Sequence, residues 1–358
     1  MKPNSRHAKL KPSLKTNFAA PNIALIGSDK ALIQRFVEEV SLKLHVGILK
    51  PNDSFFRPQS VAKDLISVGE SEYFSEIRIN AKLSERQLYH LLAEYELVFQ
   101  FEQNQFAEFA IVFGHIPANV NPETILAVCN DKNDSEDFLL FERDELDALA
   151  EFVVDWTQQK ASQVPLYGLV LAGGHGSRMD KDKGSLEYYE GITQRQRGYQ
   201  LLQRFCGEVF ISCRKDQIKK MEYPYVEDKF LDLGPLSGIL SAFQHEPNAA
   251  WLVIACDMPL LTEKAVLHLI ENRNALKIAT CYQNERRNHP EPLLAIWEPK
   301  SYRILLDFLA KGETCPKKIL QMSDYKSVVP IDEIELQNVN TPEEYEQVLK
   351  RLNKNVSI

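Results

Sequence analysis

The run LYGLVLAGG at 166–174 constrains the fold more than any other stretch of the chain. Its first six residues carry no charge and do not alternate with polar ones, so as a strand they need apolar cover on both faces, which means a sheet flanked by helices. The same kind of run recurs at EVFISCR (208–214), AAWLVIACDMP (249–259), LKIATCY (276–282) and PLLAIW (292–297), with helical stretches such as TEKAVLHLIENR (262–273) between most of them. This half therefore reads as a doubly wound α/β domain with a parallel or mixed sheet.

The first half repeats the logic. IALIG (23–27), DKALIQRFVEEVSLKL (29–44) and HVGILK (45–50) read as strand, amphipathic helix and strand. Further strands are expected at 96–101, 109–114 and 124–130, and DELDALAEFVVDWTQQ (144–159) closes this half as a helix with Leu146, Leu149, Ala150, Val153 and Val154 on one face. A chain of 358 residues exceeds what one core usually carries. Polar residues ending in Pro165 mark a linker at 161–165, so the expected division is a basic arm (1–20), an α/β domain (21–160), a second domain (166–350) and a tail (351–358). The second domain closes on NVNTPEE, where Thr341 is an expected N-cap, Pro342 the first helical residue and Glu344 the partner in a capping box.

Bulk properties narrow the function. The net charge of −8 argues against general affinity for nucleic acid or an acidic membrane, so any anion site must be local. No apolar run approaches the ~20 residues of a membrane helix. The six cysteines include no CxxC pair, which suggests neither zinc nor a disulfide framework and fits a reducing cytoplasm. Residues 1–20 contain Lys2, Arg6, Lys9, Lys11 and Lys15 without an acid or an apolar core, and read as a solvated arm, with an organelle transit peptide as the alternative.

The chemistry concentrates after the strand at 166–171. Gly173, Gly174 and Gly176 expose successive backbone N–H groups, and Arg178, Lys181 and Lys183 follow. That loop suits a polyanion: the backbone approaches the phosphates, Arg178 forks onto their oxygens and Lys183 adds a point charge. Asp257, directly after an apolar strand, stands where Mg²⁺ on a triphosphate would lie, and equally suits capping a helix. DLGPLSGILSAF (232–243) supplies a second small-residue turn into a helix.

LAGGHGSRMDKDKG, VEDKFLDLGPLSG, ACDMPLL, NHPEPLLAIW and NVNTPEE, in this order, resemble the molybdenum cofactor guanylyltransferase family of Rossmann-like nucleotidyltransferases, over residues 166 to 350. The resemblance implies transfer of GMP from GTP to the phosphate of molybdopterin with release of pyrophosphate. It implies that Leu171, Ala172, Gly173 and Gly174 hold the nucleotide, Lys183 its phosphates, Asp228 the nucleoside, Asp257 both GTP and Mg²⁺, and that Asn338 and Asn340 line the pterin or metal side. His289 is expected to contact substrate or order its loop, since a phosphate nucleophile is already ionised near neutrality and needs no base. Two departures from the family stand out: Asp180 follows the Arg-Met pair in place of glycine, and FISCR lacks the asparagine that faces the base. Other readings are a different base or acceptor (CTP with molybdopterin, or a phosphorylated sugar or alcohol) and a non-catalytic nucleotide-binding regulator or cofactor carrier.

The first half resembles the molybdopterin-guanine dinucleotide biosynthesis adapter, a P-loop GTPase-like protein, over residues 21 to 160. Its P-loop is degenerate. GxxxxGK[ST] aligned on Lys30 puts Ala24 and Asp29 where glycines belong and Ala31 where a hydroxyl would bind Mg²⁺, so triphosphate binding is not expected there. Docking of a cofactor-biosynthesis or acceptor enzyme, or shielding of the pterin, is the role left to it.

Overall fold

The computed structural model describes residues 20–50, 66–70, 75–79, 95–101, 107–131, 137–172, 183–189, 191–284 and 289–356. Two sheets carry the fold. The first has strands β1 (Asn22–Gly27), β2 (Val46–Lys50), β3 (Ile66–Glu70), β4 (Ser75–Ile79), β5 (Leu97–Phe101), β6 (Phe109–Phe113), β7 (Ile125–Cys129) and β8 (Leu140–Phe141), in the order β3-β4-β2-β5-β1-β6-β7-β8. All its neighbours pair in parallel except β3 with β4. Helices α1 (Lys30–Ser41) and α2 (Leu146–Ser162) share one core with it, in which Phe36 packs 5.5 Å from Phe99 and 5.4 Å from Phe113, ring centre to ring centre.

Between β1 and α1 only Ser28 and Asp29 remain, too few for a phosphate-cradling loop. The Asp29 carboxylate caps α1, accepting the Leu32 N–H at 3.0 Å, and pairs with Arg143. The Leu32 N–H, ahead of the Arg143 charge, holds the Asp29 carboxyl below its usual range. A negative charge built into the chain thus stands at the helix N-terminus, where a P-loop protein would hold phosphate.

The second sheet comprises β9 (Leu166–Leu171), β12 (Val209–Cys213), β13 (Tyr225–Glu227), β14 (Ala250–Ala255), β15 (Ala279–Asn284), β16 (His289–Trp297) and β17 (Lys326–Val328); the short ribbon β10 (Glu187–Tyr189) and β11 (Ile192–Thr193) stands apart. Its order is β13-β12-β9-β14-β16-β15-β17, and only β16 runs against its neighbours. Every residue of β14 is buried, as its unbroken apolar run requires. Helices α3 (Gln194–Leu202) and α5 (Glu263–Glu271) cover one face; α4 (Pro235–His245), α6 (Ser301–Ala310) and α7 (Pro316–Gln321) cover the other. Helix α8 (Pro342–Val356) packs against β10 through Val348, Tyr345 and Tyr188. Among the described residues no helix is long and apolar enough to cross a membrane. All six cysteines are unpaired, and burial pushes Cys129 and Cys213 up to about 11 and Cys206 to about 12.

The two halves meet where β15 begins. The apolar run LKIATCY enters the sheet only at Ala279, because Leu276 packs into the core of the first half and Lys277 pairs with the buried Glu96 at 3.0 Å. Glu96 also accepts the His45 N–H at 2.8 Å, and Lys277 reaches Asp324 at 2.7 Å. Lys300 donates to the Leu276 carbonyl beside this cluster. Desolvation pulls Lys300 down to about 8, with Lys277 adding to the effect and Glu96, Asp324 and Glu298 opposing it. Folded Lys300 therefore sheds its proton near pH 8, whereas the unfolded chain keeps it until near 10.5, so the unfolded state binds more protons across that window and stability rises with pH. Denaturant unfolding should show the wild type gaining on Lys300→Met as pH rises from about 8 to 10.5, and a gap independent of pH would refute the shift.

Candidate active site

Strands β9, β12, β13 and β14 are mutually parallel, so their carboxyl ends lie along one edge of the sheet, where ligands of open α/β folds bind. The end of β9 is pinned from both sides. Ala172 donates its N–H to the Ser212 carbonyl at 3.2 Å, the Leu171 carbonyl accepts from the Cys256 N–H at 3.3 Å, and Gln217 Nε2 donates to the Ala172 carbonyl at 3.2 Å. Gly173, Gly174 and Arg178, with the rest of the glycine loop through residue 182, lie outside the described residues.

Lys183 follows that loop and opens a short 3₁₀ turn. Its ammonium lies 3.2 Å from Asp257 Oδ2, just beyond β14, and 2.6 Å from Asn340 Oδ1, 157 positions along the chain. The backbone explains the meeting: Val339 donates its N–H to the Asp257 carbonyl at 2.8 Å, laying residues 338–340 against the end of β14. Glu344 then fixes the segment. Its Oε2 accepts the N–H groups of Asn340 (2.6 Å) and Thr341 (3.1 Å) while Thr341 Oγ1 accepts the Glu344 N–H (3.2 Å), which is the capping box expected for α8. Among the described residues, Asp257 Oδ1 and Asn338 Oδ1 are buried without hydrogen-bond partners.

Farther along the edge, Asp228 follows β13. Its N–H donates to the Cys213 carbonyl at 2.9 Å, and its Oδ1 accepts the Ser212 hydroxyl at 2.6 Å. Burial pushes the Asp228 carboxyl up, while the Ser212 hydrogen bond and the Arg214 charge oppose the shift. Helix α4 comes this close only because Gly238 has no side chain: a Cβ there would lie 2.5 Å from Ser212 Oγ and 2.6 Å from Leu171 Cδ2. Gly234, at φ +58°, supplies the left-handed turn into that helix. His289 begins the reversed strand β16 at this same edge, and its Nδ1 lies 3.3 Å from the Pro290 carbonyl.

The structure thus gathers Lys183, Asp257 and Asn340 into one cluster, with Asn338 beside it, and stands Leu171, Ala172, Asp228 and His289 along the same edge. Glu344, read at first only as a cap, is what delivers Asn340. Ser212 and Gln217 announce nothing by residue type, since only tertiary contact gives them a part.

Residues 168–328 match the MobA-like NTP transferase domain. A probable molybdenum cofactor guanylyltransferase of Clostridium perfringens is 31% identical over 192 residues, which span 51% of this chain and 95% of that protein. The chain belongs to the molybdenum cofactor guanylyltransferase family. Another relative, the molybdenum cofactor guanylyltransferase of Pseudomonas fluorescens strain SBW25, is 32% identical over 192 residues, 51% of this chain and 93% of that protein. The molybdenum cofactor biosynthesis bifunctional protein of Synechocystis is 38% identical over 190 residues, 52% of this chain, and the match spans about half of that protein, 54%. The matched domain contains Lys183, Asp228, Asp257 and His289, whereas Asn338, Asn340 and Glu344 lie past its end at 328 and reach this cluster through Val339.

Removing the Glu344 carboxylate should free the loop that presents Asn340. Glu344→Ala is expected to lose about 1 kcal/mol of stability, as for other N-terminal caps, and turnover should drop more than in Glu344→Gln, which keeps an acceptor oxygen. Equal turnover in the alanine variant and the wild type would show that the cap does not support the site.

Proposed function

We propose that this chain is a cytoplasmic, Mg²⁺-dependent nucleotidyltransferase that moves GMP from GTP onto the phosphate of molybdopterin. One observation carries the proposal: Lys183, directly after the glycine-rich loop, meets Asp257 and Asn340 at the carboxyl edge of a doubly wound sheet. In the reaction a molybdopterin phosphate oxygen forms a bond to the α-phosphorus of GTP, the bond from that phosphorus to the β-phosphate bridge breaks, and pyrophosphate leaves with the electron pair. A phosphate monoester is ionised near neutrality, its second pKa being about 6, so the protein supplies neither nucleophile nor base. Its task is to hold the two phosphates in line and offset their charge.

Each residue has a part in that task. The backbone from Leu171 through Gly174 cradles the nucleotide, with Arg178 and Lys183 countering the triphosphate charge. The Asp228 carboxylate, already holding the Ser212 hydroxyl on one oxygen, has the other for ribose hydroxyl or guanine N–H donors. His289 and Asn340 face the acceptor. The unpartnered buried oxygens of Asp257 and Asn338 are the hard donors Mg²⁺ takes, and one protein carboxylate suffices because Mg²⁺ keeps water and substrate phosphates as its other ligands. When bound, Mg²⁺ neutralises charge on the phosphates and on the departing pyrophosphate.

The first half, read as a degenerate adapter-like domain, serves as a docking platform for a partner enzyme that makes or receives the cofactor. Its contact at Leu276 and Lys277 precedes β15, which runs in the direction of β14, so it joins the transferase sheet at the end opposite the site. That placement favours docking over shielding of the pterin.

Purified protein with molybdopterin, Mg²⁺ and each of GTP, CTP, ATP and UTP should yield one dinucleotide by mass, from GTP. Asp257→Ala should still fold, with some loss of stability from leaving Lys183 to Asn340 alone, yet lose turnover on the order of a hundredfold or more, and should leave no residual GTP hydrolysis, because Asp29 fills the P-loop position. Unchanged pyrophosphate release in that variant would overturn the assignment of Asp257.

A further inference from the structure

The hydroxyl of Tyr188 is buried and has no hydrogen-bond partner among the described residues, in a residue only 6% exposed. Leaving such a group unpaired is destabilising, and a phenylalanine of the same shape would avoid the penalty. The hydroxyl stands beside the site described above. Tyr188 lies on β10, five residues past Lys183, and packs with Leu260 and Val339. Leu260 follows Asp257 by three residues, and Val339 is bonded to the Asp257 carbonyl and precedes Asn340. The ring is therefore walled in by the two segments that carry the partners of Lys183. On its other side Tyr345 stands 4.8 Å away, ring centre to ring centre, its own hydroxyl satisfied by the Glu187 carbonyl at 2.8 Å.

Burial pushes the Tyr188 phenol up, followed by the influence of Tyr345 and then Asp257, so it stays protonated with its O–H available to donate. Near it, Asp257 Oδ1 and Asn338 Oδ1 are unpartnered acceptors. A donor that lacks an acceptor, beside oxygens that lack a donor or a cation, matches a ligand presenting anionic oxygens together with a metal ion. We propose that Tyr188 contacts the ligand of the transferase reaction, donating its O–H to an anionic phosphate oxygen of the nucleoside triphosphate held at Lys183 and Asp257. This inference rests on the reading of the site as a nucleotidyltransferase.

The test is Tyr188→Phe in the full chain, which removes one oxygen and keeps the ring. With GTP and Mg²⁺ as probe and molybdopterin as acceptor, kcat/KM for GTP should drop about tenfold or more, as expected for losing a hydrogen bond to a charged group. The thermal midpoint without nucleotide should hold or rise. Tyr345→Phe, which loses a satisfied hydroxyl, should show the opposite pattern of a lower midpoint with unchanged kcat/KM. Tyr188→Phe with wild-type kcat/KM would overturn the proposal, as would equal losses of turnover in the two variants, since these would reflect general packing. Titration of the wild type with each nucleoside triphosphate and Mg²⁺ separates the two levels. Binding of a base other than guanine would refute the GTP reading while Tyr188 is judged with that nucleotide, and binding of none would overturn both.

Discussion

The site depends on the hold that Asp257 and Asn340 exert on the Lys183 ammonium. Lys183 and Asp257 are each largely buried, with side-chain exposures of 21% and 18%. A buried charge needs close partners, and these two sit 3.2 Å apart with a third acceptor at 2.6 Å. The consequences reach across the chain. Asn340 can be there only because Val339 is bonded to the backbone of Asp257, and that segment holds its shape only because Glu344 ties down the first turn of α8. One cation thus fastens the helix beginning at Pro342 to a strand that ends at Ala255. The same cation is suited to a triphosphate, so the contact that completes the fold also keeps the phosphate-binding group in position.

The two halves handle the same local problem in opposite ways. Each opens with an apolar strand followed by a turn at the edge of a parallel sheet. In the first, Asp29 closes the turn by capping α1 and pairing with Arg143, so charge and hydrogen bonds are settled within the chain. In the second, glycines and cations follow β9, and one side-chain oxygen each of Asp257 and Asn338 has no partner among the described residues. A helix N-terminus filled by the chain's own carboxylate disfavours a phosphate there. The first half retains a parallel sheet and a core, joined to the second through Glu96, Lys277 and Leu276.

Much of this was legible in the sequence, and the failures have physical causes. Unbroken apolar runs marked β9, β12 and β14, because a strand covered on both faces cannot be polar. The capping box marked the start of α8 because its residues act on one another across three positions. Ile66–Glu70 and Ser75–Ile79 went unread: both are short, mix charged with apolar residues, and pair at the outer edge of the first sheet. The reversal of β16 was left open, since PLLAIW has the same composition in either direction. At the site, Lys183 and Asp257 were each visible from local pattern. Their junction with Asn340 was not, because Lys183 and Asn340, 157 positions apart, come together only through tertiary pairing. Arg178 and the glycines remain expectations from sequence, their stretch lying outside the described residues.

Around Glu298 the buried polar groups of the framework satisfy one another. Glu298, 1% exposed, has both oxygens on Arg273 at 2.7 and 2.8 Å, and Ser301 beside it donates to the Glu298 carbonyl. That network asks nothing of an outside molecule, and breaking it would leave a charge stranded in the interior. Around Asp257 the situation is reversed, with a carboxylate oxygen, an amide oxygen and a phenol all buried and unpaired in adjoining segments. Their exposure to a penalty makes sense if a ligand carrying phosphate oxygens and a cation removes it, so that part of the stability withheld from the free protein is returned on binding.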